Sequence, residues 1–319
     1  MKAPFPYFGG KSKVADQVWQ ALGNPAHYLE PFFGSGAVLL NRPDYNQADH
    51  TETINDKDGF VSNVWRAIKF NPEKTAEYCD YPVNHADLIV RKKKLIENDG
   101  YLLENLCKDD EWHDVKLAGY WIWAASCWIG SGLTRPGQVP HLTHPGQGVH
   151  KKSLVTAGQL PHLTDAGAGV HQKKYIGKIY EWFNDLSARL RRVRVVCGDW
   201  SRICGGNWQD KMGHCGVFFD PPYQTNDRAA VYHQDDFNVA DKVLEWSKKR
   251  GDKKSYRIVI AGYDEHQELI DNHGWSGVNW KAGGGYSRPG TRGEENAKKE
   301  MLYFSPHCLN IEKSQGRMF

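Results

Sequence analysis

No stretch of the 319-residue chain is long and apolar enough to span a bilayer. Residues 1–10 also lack the apolar core of a secretory leader, so a cytoplasmic protein is expected. Cysteine is sparse: the seven are scattered, and none forms a CxxC pair. That excludes the common zinc-ribbon and thioredoxin-like patterns, and an odd count without a leader suits free thiols in a reducing compartment. Charge of one sign is missing too. Lys plus Arg total 41 against 38 for Asp plus Glu, a net charge of +3, so no global polycation advertises nucleic acid. Local basic runs at 91–94, 189–194 and 248–254 read first as solvated helix faces. What remains is an ordinary globular composition, 40% hydrophobic and 25% charged, in a chain long enough for one large or two smaller domains.

Strand and helix patterns alternate at both ends of the chain and are interrupted in the middle. Residues 27–41, HYLEPFFGSGAVLLN, read as strand, glycine-rich turn and helix. Residues 51–70 repeat the scheme, with a strand ending near Asn55-Asp56 and then an amphipathic helix. From 71 to 133 the texture is mostly helical and holds the aromatic run YWIWAASCW, 120–128, read as core packing. Residues 134–173 are rich in Gly, Pro and His. Strand signals then return at 193–196, 217–219, 257–262 and 300–304. The pattern implies an α/β fold, a mostly parallel sheet carrying an inserted domain.

Within the interruption, GQVPHLTHPGQGVHKK (137–152) recurs 21 positions later as GQLPHLTDAGAGVHQK, with 11 of 16 positions identical. Two copies are too few for a solenoid, so they read as two similar loops. Their histidines, His141, His144, His150, His162 and His171, have no cysteines at zinc spacing beside them. Loops that touch phosphates or base edges suit them better than a metal. Arg135, in SGLTRPG, is a better candidate for such contacts than the Trp-rich run, since arginine pairs well with guanine edges and phosphates.

Three short motifs carry chemistry. Gly34 and Gly36 stand in a turn after a strand, where backbone N–H groups can approach a ligand. A dinucleotide fingerprint would want glycine or alanine at 39, but Leu39 is there, which weakens a nicotinamide reading. Asp56, 20 residues beyond Gly36 and at the end of the next strand, is placed to accept hydrogen bonds from ribose hydroxyls. FGGKS, 8–12, imitates the tail of a phosphate-binding loop. It has Phe5 where that loop needs glycine and no strand before it, so a nucleoside triphosphatase is rejected. The third motif is GVFFDPPYQT, 216–225: a buried apolar strand, then a carboxylate, two prolines that forbid further ladder bonds, and an aromatic ring.

Taken in order, PYFGGKSKVADQV (6–18), EPFFGSGAVLL (30–40), IND (54–56), GDW (198–200), DPPY (220–223) and TRGEENAKKEMLYFSP (291–306) resemble the alpha group of DNA adenine N6-methyltransferases, the Dam-type enzymes. The resemblance covers about 4–70 and 180–306. It implies a Rossmann-like methyltransferase fold with a seven-stranded, mostly parallel sheet. The catalytic domain would be 1–70 and 181–319, and 71–180 an inserted, mainly helical and loop target-recognition domain. It further implies S-adenosylmethionine as cofactor, held by Tyr7, Lys11, Glu30, Phe32, Gly34 and Gly36, with Asp56 on the ribose and Asp199 on the cofactor's adenine. Double-stranded DNA is the implied partner, with a cognate restriction endonuclease as an optional one, and no metal or membrane is required.

In such an enzyme Asp220, Pro221, Pro222 and Tyr223 would be the catalytic set. Adenine's exocyclic amine is a poor nucleophile because its lone pair is delocalised into the ring. Acceptors at the Asp220 carboxylate and the Pro221 carbonyl would draw it toward tetrahedral geometry, with Pro222 stiffening the turn and the base stacked on Tyr223. The base must first leave the duplex. Alternatives are a methyltransferase of the same fold acting on RNA or a protein amide nitrogen, whose tetrapeptide usually begins with Asn, and a catalytically silent DNA-binding relative.

Overall fold

The apolar run at Val217 becomes β4 (Cys215–Phe219), and all five of its residues are buried. The computed structural model describes residues 1–7, 9–128, 132–136, 169–175, 177–206, 210, 213–222, 238–280 and 300–309. The other strands are β1 (His27–Glu30), β2 (Thr51–Asp56), β3 (Val193–Cys197), β5 (Tyr256–Gly262), β6 (Ser276–Asn279) and β7 (Met301–Phe304). They form one seven-stranded sheet in the order β3-β2-β1-β4-β5-β7-β6. Strand β1 runs parallel to β2 and β4, and β4 parallel to β5, while β7 is antiparallel to both β5 and β6. The fold is therefore the mostly parallel, Rossmann-like α/β sheet expected. Strands β1 and β4 are buried at every residue; β4 accordingly reads as a continuous apolar run, while β1 carries His27 and Glu30 into the interior.

The chain divides into two compact units. The sheet unit takes its described residues from 11–55 and from 200 onward, and holds β1, β2, β4, β5, β6 and β7. Its helices are α1 (Ala15–Leu22), α8 (Ser201–Cys204), α9 (Val239–Gly251) and α10 (Gln267–His273). The thiol of Cys215, inside β4, is pushed up to about 12 by burial and is chemically quiet.

The helical unit, from 1–10 and 56–199, contains α2 (Gly59–Phe70), α3 (Pro72–Cys79), α4 (His85–Glu97), α5 (Asp99–Lys108), α6 (Val115–Cys127), α7 (Ile179–Leu190) and β3. Its helix starts are written in the sequence. Asp58, Asn84 and Asp114 each accept a first-turn N–H, and Pro72 opens α3 where no donor is needed. Gly119 lets α6 lie close against α3, since a Cβ there would meet Tyr78 and, at 3.0 Å, the Thr75 carbonyl. Trp121, Trp123 and Trp128 are all buried, as core packing requires.

One expectation fails. The helix read after the glycine turn is a single 3-10 turn, Leu39–Asn41. Gly34 and Gly36 sit at φ 48° and 63°, which delays any helix start. Arg42 precedes Pro43 and is held at ψ 122°, which stops the turn at once.

Candidate active site

The sheet order reverses between β1 and β4, and the two strands pair in parallel with Leu29 opposite Val217. Glu30, at the end of β1, and Asp220, just past β4, therefore leave the sheet at the same edge. Open α/β sheets bind ligands at such a reversal. Strand β7 runs the other way, with Met301 opposite Gly262 at the end of β5, so Glu300 arrives at that edge as well. Three carboxyl groups from distant parts of the chain thus share one edge of the sheet unit.

Asp220 is 22% exposed and its Oδ2 lies 2.8 Å from the ammonium of Lys11, which is 5% exposed. Sequence reasoning assigned Lys11 to the cofactor; the structure puts it on the carboxylate of the Asp-Pro-Pro turn. Pro221 is buried and Pro222 half-buried, and Tyr223 lies outside the described residues. Below the turn, Phe219 packs edge-on against Trp200 and Trp246, with ring centres at 5.9 and 5.4 Å, and Phe32 lies at 6.3 Å. The strand end that carries Asp220 is thereby anchored on large rings.

Glu30 is 2% exposed. Its Oε2 accepts from the Tyr28 hydroxyl at 2.8 Å and from the Leu39 N–H at 3.2 Å. Burial pushes its carboxyl well above the usual range and the charge of Asp220 adds to this, while the two hydrogen bonds pull the other way. The glycine turn is fixed by a second set of bonds: Phe33 N–H to the Asn55 carbonyl and the Asn55 amide to the Pro31 carbonyl, both at 3.0 Å. A Cβ on Gly36 would fall inside the Phe33 ring, so glycine is required there by packing as well as by φ. Burial also raises Glu300, with Asp220 raising and Lys11 lowering it, and its Oε2 has no hydrogen-bond partner among the described residues.

Tyr28, Asn55 and Glu300, which also stand at or beside this edge, were not singled out in the sequence as site candidates. The one available signal was Asn55, a polar residue inside a buried strand run.

The remaining candidates lie in the helical unit. Asp56 ends β2, and its Oδ1 accepts from the Asp58 N–H at 2.9 Å. The N-cap of α2 is Asp58, not Asp56. The Asp56 carbonyl accepts from Gly198 N–H at 3.0 Å, which brings the exposed Asp199 next to the end of β2. Tyr7 is half-buried with its ring 6.4 Å from Phe5. Arg135 is half-buried in a turn after α6. His171 is also half-buried, one ring nitrogen 3.0 Å from the Trp123 carbonyl, and burial lowers its pKa. His141, His144, His150 and His162 lie outside the described residues. Among the described residues no cluster of His, Cys, Asp or Glu is arranged to hold a metal, and no helix is long and apolar enough to cross a membrane.

A mostly parallel sheet that reverses between β1 and β4, with a buried acid and glycine turn after one strand and Asp-Pro-Pro after the other, is the Rossmann-like architecture that methyltransferases share. Residues 7–130 match the family model of the D12 class N6 adenine-specific DNA methyltransferases. Over that segment, which is less than half of the chain, the protein is similar to adenine-specific DNA methyltransferases; the segment includes Lys11, Glu30, the glycine turn and Asp56 and ends before Asp220. No curated protein matches the chain.

Proposed function

We propose that the protein transfers the methyl group of S-adenosylmethionine to N6 of an adenine flipped out of double-stranded DNA, at sites read by the region 71–180. The observation that carries this reading is the Lys11–Asp220 ion pair at the carboxyl end of β4, directly before two prolines.

The residues along the edge fit the cofactor. Glu30 offers a buried carboxyl to a cationic ligand, Phe32 a half-buried ring, and Gly34 and Gly36 a turn without side chains. Bound there, S-adenosylmethionine supplies a methyl group activated by a positively charged sulfur. On the resemblance, Asp56 and Asp199 are assigned to its ribose and adenine, and Tyr7 to the cofactor.

Lys11 compensates the charge of Asp220 and fixes the direction of its carboxylate. Asp220 then accepts one N–H of the target amine, and the Pro221 carbonyl accepts the other. Two acceptors on one nitrogen draw it out of conjugation and localise its lone pair. As the new N–C bond forms, the methyl's bond to sulfur breaks with its electron pair left on a neutral thioether, and Asp220 takes the surplus proton and returns it to solvent. Pro222 keeps the turn stiff, so the two acceptors keep their spacing. Tyr223 provides the stacking face that offsets unstacking, which costs a few kcal/mol.

The test is nucleoside mass spectrometry on DNA from cells lacking adenine methylation that express either the wild type or Asp220→Ala. N6-methyladenine with the wild type alone is the expected result. Unmodified adenine in a strain whose purified protein binds S-adenosylmethionine would move the substrate to RNA or a protein amide. Binding without any transfer would mark a silent relative.

A further inference from the structure

Two neighbouring cations on α4 are used in different ways. Arg91 is buried under the rings of Trp123, Tyr120 and Tyr81, at 4.2, 4.7 and 5.0 Å, and donates to the Tyr78 carbonyl at 3.1 Å. It pins α4 to the helices around it. Lys92 points elsewhere on the helix. Its ammonium donates to the carbonyl of Leu133, to that of Arg135 at 3.0 Å and to that of Gly132 at 3.3 Å. It also lies 4.7 Å from the ring centre of Trp128. An ammonium carries three donors and no acceptor, so one side chain matches three carbonyls of a single turn.

The turn is tied from its own side as well. Gly132 takes φ 82°, and the Arg135 N–H closes onto the Gly132 carbonyl at 3.0 Å. Leu133 is 9% exposed and anchors the turn inward. Arg135 stands before Pro136, which restricts its backbone to extended conformations. Both polar groups of the Arg135 backbone are therefore held, its N–H by the turn and its C=O by Lys92. The arrangement is not the cheapest way to stabilise a loop. Burial of the ammonium drags the Lys92 pKa down to about 8, so folding works against the charge the turn depends on.

We propose that Lys92 is a positioning residue for target recognition: it fixes the backbone of Arg135 so that the arginine leaves the turn in the direction needed to read a base. The inference rests on the reading of Arg135 as a base-contacting residue. Preorganisation of this kind matters because a bidentate arginine contact tolerates little misplacement.

The experiment maps N6-methyladenine across the genome of cells free of adenine methylation, expressing wild type, Arg135→Ala, Lys92→Met or Lys92→Gln. Each purified protein is then assayed on a cognate duplex and on one altered at the position that Arg135→Ala relaxes. Wild type should show one consensus. Lys92→Met should relax that same position and lower the cognate-to-altered rate ratio by about tenfold, with S-adenosylmethionine binding unchanged. Hydrogen exchange at the Arg135 amide should quicken while the helices keep their protection. Lys92→Gln, shorter and with two donors, should lower the ratio in the same direction and decides the matter if the Met variant does not fold. Full discrimination in a folded Lys92 variant, alongside relaxed discrimination in Arg135→Ala, would overturn the role of Lys92. An unchanged consensus in Arg135→Ala would instead remove Arg135 as a base reader, and the proposal with it.

Discussion

In the helical unit Arg66 is 2% exposed, and its guanidinium reaches four backbone carbonyls: Asp109 at 2.7 Å, Val195 at 3.0 Å, Leu106 at 3.1 Å and Trp112 at 3.2 Å. In the sheet unit Glu30 is as deeply buried, yet its Oε2 is met by one hydroxyl and one amide, and Glu300 keeps a buried oxygen with no partner among the described residues. Both charge-bearing side chains are buried, as is Arg42 of the sheet unit, which donates to Asn24, Glu52 and the Pro25 carbonyl; Arg66 and Glu30 differ in how many partners are supplied. A buried cation ringed by main-chain oxygens holds loops and helices in place. A buried acid short of donors is costly unless something else is meant to meet it. That difference separates scaffold from site without appeal to any motif.

The contrast can be broken most forcefully at Arg66. Replacement by Met leaves four carbonyls without their donor and should destabilise the protein by about 3 kcal/mol. Urea unfolding measures this, and the surviving folded fraction should methylate at the wild-type rate per folded molecule. A loss of turnover in fully folded Arg66→Met would blur the line between scaffold and site.

A smaller effect is expected at Gly36. Alanine there must adopt a φ near 63° and enter the space of the Phe33 ring. The backbone term alone is of order 1–3 kcal/mol. Because the strain falls on the turn assigned to the cofactor, S-adenosylmethionine affinity measured by calorimetry should fall by about tenfold or more. An unchanged affinity would detach the turn from the cofactor.

The mildest change is Glu30→Gln, where the sign of the stability effect is the informative part. Folding raises the carboxyl above its ordinary 4.5. From that pH upward the unfolded chain releases a proton that the folded chain retains, so Glu30 costs stability as pH climbs through this window, and the cost persists above it. Glutamine keeps an oxygen for Tyr28 and Leu39 but has no proton to lose. The variant should melt higher than wild type at neutral pH, with the gain shrinking below about pH 4.5, while binding the cationic cofactor more weakly. Thermal melts across that range check the first half and calorimetry the second.

Much of this architecture was legible from local pattern. The runs near 217, 257 and 301 became β4, β5 and β7, because strands buried on both faces must be largely apolar, and the one near 193 became β3, whose burial alternates around the exposed Arg194. Asp58, Asn84 and Asp114 cap their helices through contacts within three residues, the kind of local signal a sequence carries, though none was singled out there. Strand β6 was not legible: Ser276–Asn279 is short, polar and largely exposed, held as a strand by pairing with β7 rather than by its own composition. The site split the same way. Asp-Pro-Pro and the paired glycines are written consecutively and could be read. The ion pair of Lys11 with Asp220 joins residues about two hundred positions apart and leaves no periodic trace. The same holds for Glu300, which arrives at the edge only because β7 runs antiparallel, and for Lys92, whose three acceptors lie some forty residues onward.

The central claim is that the Asp220 carboxylate, held by Lys11, accepts a hydrogen bond from the target amine. Single-turnover methyl transfer by Asp220→Asn on a cognate duplex tests it most directly, with cofactor and DNA affinities measured on the same preparation. The variant keeps the shape and loses the charge. The account predicts a fall of about a thousandfold in the transfer rate, with both affinities within about threefold of wild type. A transfer rate near that of wild type, or a loss confined to binding, would contradict it.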